Sequence, residues 1–115
     1  MNIVILRGTL TRETSETLLP SGDRLLRYSV TTRPEEGPAE SVPVSWLKPP
    51  ARVRALPAET EVVVLGRVRR RFFQTGGGTM SRTEVTAEAV VAATQRTKVL
   101  GLIDHVVAAL TDDPS

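Results

Sequence analysis

Cysteine is absent from this 115-residue chain, and histidine occurs once, as His105. Without thiols there are no disulfides, no thiolate metal sites and no cysteine nucleophile. A single imidazole gives neither a histidine-rich metal site nor a His-based catalytic pair. No serine has a histidine or lysine partner at a recognisable spacing, so the chain reads as a non-enzyme with no metal and no cofactor. Aromatic residues make up only 3% of the sequence. No stretch approaches the ~20 apolar residues that span a bilayer. Met1 to Leu10 has no basic segment ahead of a long apolar run, so no signal peptide is expected. These absences predict a cytoplasmic protein without a membrane partner, and a binding module rather than a catalyst.

What is present fits one domain. The length allows a single core, and a hydrophobic fraction of 40% argues against a disordered chain. The formal net charge is only +2, but thirteen of the fifteen cations are arginine. Between Arg67 and Lys98 seven cations (Arg67, Arg69, Arg70, Arg71, Arg82, Arg96, Lys98) face two anions, Glu84 and Glu88. Other acids gather elsewhere, at Glu35, Glu36 and Glu40 and at Asp104, Asp112 and Asp113. A basic stripe of this kind suits a polyanion. A solvated strand face would account for it equally well.

Period-2 patterns dominate the chain. Asn2 to Leu10 alternates, with Val4, Leu6, Gly8 and Leu10 on one face and Ile3, Ile5, Arg7 and Thr9 on the other. Apolar residues on both faces call for a second cover, which a subunit could supply. Pro20-Ser21-Gly22-Asp23 is a turn signal. After it, Arg24 to Thr32 places Leu26, Tyr28 and Val30 on one face, opposite Arg27, Ser29 and Thr31, which makes Tyr28 a core residue. A polar loop over Arg33 to Glu40 leads to a third strand, Val42 to Leu47, which carries Trp46. Pro43 marks an edge or a bulged start. Pro50 and Pro57 bracket a short helix over Ala51 to Leu56.

Thr60 to Gln74 is the longest strand signal. Its parity sets Arg67, Arg69, Arg71 and Phe73 in a row on one face, at steps of about 6.6 Å. Phe72 falls on the opposite face, as a packed residue. Gly66 suggests a bend or bulge where the strand leaves the interior. Gly76, Gly77 and Gly78 form a hairpin tip; no Lys-Ser/Thr follows, so they are not a phosphate loop. Met80 to Ala93 returns, with Val85, Ala87, Ala89 and Val91 opposite Glu84, Thr86, Glu88 and Val90. Finally Val99, Ile103, Val106 and Leu110 recur at helical spacing, with Thr97 as N-cap and Pro114 beyond the end. That helix either packs on its own domain or covers a neighbouring subunit. The order is β-β-β-α-β-β plus a terminal helix. It predicts an all-β protein with minor helix: a five-stranded oligonucleotide/oligosaccharide-binding barrel (OB-fold), with its short helix between strands 3 and 4 and a C-terminal helix.

Guanidinium groups fork onto phosphate oxygens, and an aromatic at the end of such a row offers a face to a base. The alternative for the row is an exposed arginine-rich strand with Phe73 in an interface. Trp46 is either a core filler or a stacking platform. His105, beside Asp104, is an exposed helical residue rather than a ligand.

Several segments resemble a known family. Asn2-Ile3-Val4-Ile5-Leu6-Arg7-Gly8-Thr9-Leu10 resembles the N-x-V-x-L-x-G-x-L opening of bacterial single-stranded DNA-binding proteins. Pro20-Ser21-Gly22 and Tyr28-Ser29-Val30-Thr31-Thr32 look like that family's P-S-G and F-S-L-A-T patterns. Gly66 to Gln74 is similar to its G-R-L-R-x-R-x-W-Q stretch, and Thr83 to Val90 to its T-E-I-x-A-x-x-V close. The resemblance implies a sequence-independent binder of single-stranded DNA. Such proteins act in replication, recombination and repair and form homo-oligomers, tetramers ahead of dimers. It implies stacking by Phe73 and Trp46, and phosphate contacts by Arg69 and Arg71; Arg67 of the same row and Arg27 join them as expected phosphate contacts. It also implies that the first strand pairs across a dimer, and it divides the chain into a DNA-binding domain, 1–95, and a helix with a short acidic end, 96–115.

The match has gaps. Two further stacking positions have no aromatic here; Arg33–Pro34 and Val42 occupy those regions. Asp112-Asp113-Pro114-Ser115 lacks the family's Phe tip, and no long Gly/Gln-rich linker precedes it, so the likeness is to a short form. Primosomal replication protein N, a dimeric relative on the same barrel, is the alternative likeness. It would make the chain a protein-interaction module with weak DNA affinity and replication or repair proteins as partners.

Overall fold

The computed structural model describes residues 1–112; Asp113 and Pro114, read above as acidic end and helix stop, lie outside the described residues. Six strands and one helix follow one another: β1 (Val4–Leu10), β2 (Ser15–Leu18), β3 (Arg24–Thr32), β4 (Glu40–Leu47), β5 (Glu61–Thr75), β6 (Gly78–Ala92) and α1 (Arg96–Thr111). The sheet order is β1-β5-β6-β4-β3-β2, and β1 also pairs with β3, so five strands close into a ring with β2 outside it. All pairings are antiparallel except β4 with β6, which meet in parallel at Val44↔Val85 and Ser45↔Thr86. The protein is therefore mostly β, with one C-terminal helix.

Alternation puts one face of each ring strand inward. Leu10, Leu26, Val30, Val62 and Val64 are fully buried, and Tyr28, Val44, Trp46, Val85, Ala87 and Val90 complete the core. The Leu26-Tyr28-Val30 row points inward as its spacing predicts. Ring closure needs two close backbone approaches. A Cβ on Gly8 would stand 2.4 Å from the Thr31 carbonyl oxygen, and one on Gly66 would stand 2.3 Å from that of Thr86. Only glycine lets the strands meet there.

The ladder between β5 and β6 slips beside Gly66. Leu65 pairs with Ala89 but Gly66 pairs with Ala87, leaving Glu88 as the extra residue of a bulge. The bulge corrects the predicted parity of the return strand. Val85 and Ala87 face the core, but beyond Glu88 it is Val90 that does so, and Ala89 and Val91 turn outward.

Two other expectations change. The helix over Ala51 to Leu56 does not form; a turn closed by Val53 N–H to the Pro50 carbonyl (2.9 Å) gives way to irregular chain. Six residues between prolines cannot offset the cost of helix nucleation, and stronger partners claim the backbone. Arg24 donates to the carbonyls of Pro50 (3.3 Å) and Val53 (2.8 Å), while Leu56 and Thr14 exchange two hydrogen bonds. The strand β2 has no counterpart in the sequence pattern, because Ser15-Glu16-Thr17-Leu18 is wholly exposed and has no buried face to impose alternation. It exists through its ladder to Arg24–Arg27, across the turn whose Gly22 has φ +89°. Pro43 does sit at a partial edge: β6 joins β4 only from Val44 onward.

The helix starts at Arg96, with Gln95 ahead of it and no side-chain cap, rather than at Thr97. A tight turn, Gln95 N–H to the Ala92 carbonyl at 3.0 Å, carries the chain straight from β6 into the first turn. α1 lies against β6 and buries Val106, yet Leu100, Ile103, Val107 and Leu110 stay exposed. One stripe of this helix packs on its own sheet, and a second is uncovered. Ile5 is likewise exposed on the outer face of β1.

Burial pushes the Tyr28 hydroxyl up to about 12, against a smaller opposing pull from Arg24. The unfolded chain loses this proton first, near its ordinary value of about 10. Stability from the buried phenol is therefore complete below pH ~10 and falls as pH rises from there to ~12. Denaturant unfolding at a series of alkaline pH values, with ultraviolet titration of this sole tyrosine, measures the effect. A flat stability profile over that window would refute it.

Candidate nucleic-acid interface

Strands β5 and β6 continue past the ring as a two-stranded arm. The β1 ladder ends at Val4↔Gly66 and β4 leaves β6 at Val44↔Val85, whereas β5 and β6 stay paired to Thr75↔Gly78. Every residue from 67 to 83 is exposed. At the base of the arm Asn2 acts as an extra rung. Its side-chain amide donates to the Val68 carbonyl (2.8 Å), and its side-chain oxygen accepts from the Val68 N–H (3.0 Å). At the tip, Gly76 and Gly77 make a two-residue hairpin loop, as the triple glycine predicts.

On the outer face of the arm stand Arg67, Arg69, Arg71 and Phe73, directly opposite Thr86, Glu84, Arg82 and Met80. The parallel contact Ser45↔Thr86 and the pairing Arg27↔Ser45 carry this same face across β4 to β3. Arg27 and the arginine row therefore share one surface, with the strands spaced at about 4.8 Å. A cleft of about 690 Å³ lies on it, lined among others by Arg12, Arg27, Arg71, Arg82 and Glu84. Glu84 is only 5% exposed and pairs with Arg71 (Oε1 to Nε, 3.0 Å) and Arg82 (3.9 Å). It neutralises part of the charge and holds two guanidinium groups over the cleft. Arg67 and Arg69 have no ion-pair partner among the described residues, which leaves their forks free for phosphate.

Two of the four aromatic residues, Trp46 and Phe72, fall otherwise than expected. Trp46 is 7% exposed, paired against Leu26 inside the core cluster, so it offers no open ring face and does not join the arginine surface. Its parity with Val42 and Val44 was the available signal. Phe72, expected to be packed, is 68% exposed, because no strand among the described residues faces the inner side of the arm. Phe73 is 45% exposed and stands at the end of the row. Arg82 was missed as a site residue, although the two-residue loop fixes its place opposite Arg71. Arg12 sits in the bend between β1 and β2 and has no sequence signal.

Among the described residues no group of three or more His, Asp or Glu side chains is placed to hold a metal ion. No helix among them is long and apolar enough to cross a membrane. No protein-family model matches the chain, and no curated protein matches it.

Asn2 ties the arm to β1 through hydrogen bonds worth about 1 kcal/mol each. Asn2→Ala is expected to speed hydrogen exchange of the amides between Val68 and Gln74 while leaving Val62–Val64 protected. Unchanged exchange in the arm would remove Asn2 from this role.

Proposed function

We propose that this chain binds single-stranded nucleic acid without sequence preference, as a non-catalytic module that needs no cofactor. The observation that carries the proposal is the continuous outer surface on which Arg27, Arg67, Arg69, Arg71 and Phe73 meet, with Arg12 and Arg82 adding to it. Cations spaced along an open strand suit a phosphate backbone, and an exposed ring among them suits base stacking, which depends little on base identity. Supporting an OB-type barrel is the ring order, in which antiparallel pairings and one short parallel pairing close five strands. Residues 1–95 form the proposed binding domain.

The particular identity we propose is a member of the bacterial single-stranded DNA-binding proteins. It would be cytoplasmic and would serve replication, recombination or repair as a homo-oligomer, a tetramer in first place. The motif resemblance supports this, as does the placement of its arginine and Phe73 positions on one exposed face. Trp46 is left out of the stacking set because it is buried. With fewer stacking rings, the ionic share of binding rises.

Labelled oligo-dT anisotropy at several salt concentrations tests the proposal. Arg69→Ala and Arg71→Ala should each weaken binding and lower the salt slope by roughly 0.7 for every phosphate that is no longer neutralised. Phe73→Ala should cost about 1–3 kcal/mol. Trp46 emission should change little on binding. Absence of salt-dependent binding by the intact chain would overturn the proposal.

One observation favours a second reading, an interaction module that works through α1. Leu100, Ile103, Val107 and Leu110 are all exposed on that helix. If this reading holds, removing the residues after Arg96 abolishes assembly or partner binding and leaves oligo-dT affinity intact. Light scattering reports the oligomeric state, and a truncated chain that assembles as before rules the module out.

A further inference from the structure

The arm has a second face that the sequence pattern did not single out. Val68, Arg70, Phe72 and Gln74 line it on β5, opposite Val85, Thr83, Ser81 and Thr79 on β6. At its base this face runs into the core through Val85, but from Arg70 onward no strand or helix among the described residues covers it. Phe72 is the most exposed aromatic of the chain, more open than Phe73 on the other side. Its cross-strand neighbour is Ser81, so nothing bulky stands over the ring.

The chemistry of this face is specific. It carries no carboxylate, whereas the outer face has Glu84 between its arginines. Arg70 has no ion-pair partner among the described residues. Arg70 and Phe72 are two residues apart, about 6.6 Å along the strand. Around them stand hydroxyls and an amide, from Thr83, Ser81, Thr79 and Gln74. The buried centre of a homodimer interface is more apolar than this: beyond Val68 at the base, one ring stands here among polar side chains. A free cation, an open ring and small hydrogen-bonding groups are what a nucleotide strand uses: phosphate on the guanidinium, base on the ring, sugar and phosphate oxygens on the hydroxyls.

We propose that single-stranded nucleic acid contacts both faces of the β5–β6 arm, with Arg70 and Phe72 forming a second binding face behind the Arg67-Arg69-Arg71-Phe73 row. This rests on the reading of the outer face as a nucleic-acid surface. The tip between the faces presents Gly76, Gly77 and Gly78, whose missing side chains leave the backbone bare for a strand to round the end of the ribbon. One molecule therefore occludes more nucleotides than the outer face alone can cover.

Oligo-dT of about 6 and about 16 nucleotides, spanning the site sizes of single folds of this kind, separates the two faces. The full chain carrying Arg70→Ala and Phe72→Ala should bind the short oligomer within about twofold of the parent and the long one about five- to hundredfold more weakly, the range expected when one base has no ring to stack on. Phe72→Leu, which keeps an apolar side chain but removes the ring face, should reproduce most of that weakening and guards against a folding defect. Equal affinities of parent and variant for the long oligomer would overturn the second face. So would a change of oligomeric state in light scattering without a change in DNA affinity, which would mark the face as a contact between copies. Arg69→Ala with Arg71→Ala and Phe73→Ala should abolish binding of both oligomers. If that variant keeps them while the Phe72 variants do not, the outer-face reading fails and the two-faced path with it, leaving the Phe72 face as the sole contact. A parent chain that binds neither oligomer overturns both.

Discussion

The close approach of Gly66 to Thr86 is the constraint on which the rest of the structure depends. With a side chain at that position the Thr86 carbonyl would be overlapped at 2.3 Å, so β5 and β6 could not stay paired there. The bulge at Glu88 is set against this contact. On the ring side, Val62, Val64 and Val90 pack into the core; on the far side, β5 and β6 leave the ring as one continuous ribbon. Because β5 keeps its own alternation through the slip, the arginines after Gly66 stay on the outer face. The slip is taken up entirely by β6, which changes parity so that Val85 and Ala87 before the bulge and Val90 after it all remain buried.

Closure of the ring has a second consequence. It joins strands that are distant in sequence into one outer surface, through only two parallel rungs between β4 and β6. Arg27 comes from the second half of a hairpin and Arg71 from the arm, yet both line one cleft. Glu84 at the floor of that surface keeps Arg71 and Arg82 oriented while neutralising one charge. The core supplies rigidity beneath, and the arm supplies reach. A short ribbon held by ladder hydrogen bonds and by Asn2 at its base has little burial of its own. It is therefore the part of the molecule best able to adjust to a flexible ligand.

Much of this was legible in the chain. Val4-Leu6-Leu10 and Leu26-Tyr28-Val30 predicted their buried faces, Pro20–Asp23 its turn, and Gly76–Gly77 its hairpin, because each rests on local backbone geometry. The Arg67-Arg69-Arg71-Phe73 row was legible for the same reason: side chains two apart on a strand share a face whatever surrounds them. Polar β2 was invisible, since only a neighbour's free edge makes it a strand. The missing helix at Ala51–Leu56 was lost to competition, from Arg24 and Thr14, for the same backbone groups.

By itself, then, the sequence determined which residues line up together: the inward rows of β1 and β3, the single-sided arginine row of β5, and the glycine of β5 that marks the bulge. These follow from a period of two and from the size of a hydrogen atom in place of a Cβ. Tertiary structure alone decided which of those rows is covered. It placed Trp46 inside, left Phe72 bare, moved Val90 inward across a bulge, and set Arg12, Arg27, Arg71 and Arg82 around one cleft. Burial is a property of what stands opposite a side chain, and what stands opposite comes from strands that only ring closure brings near.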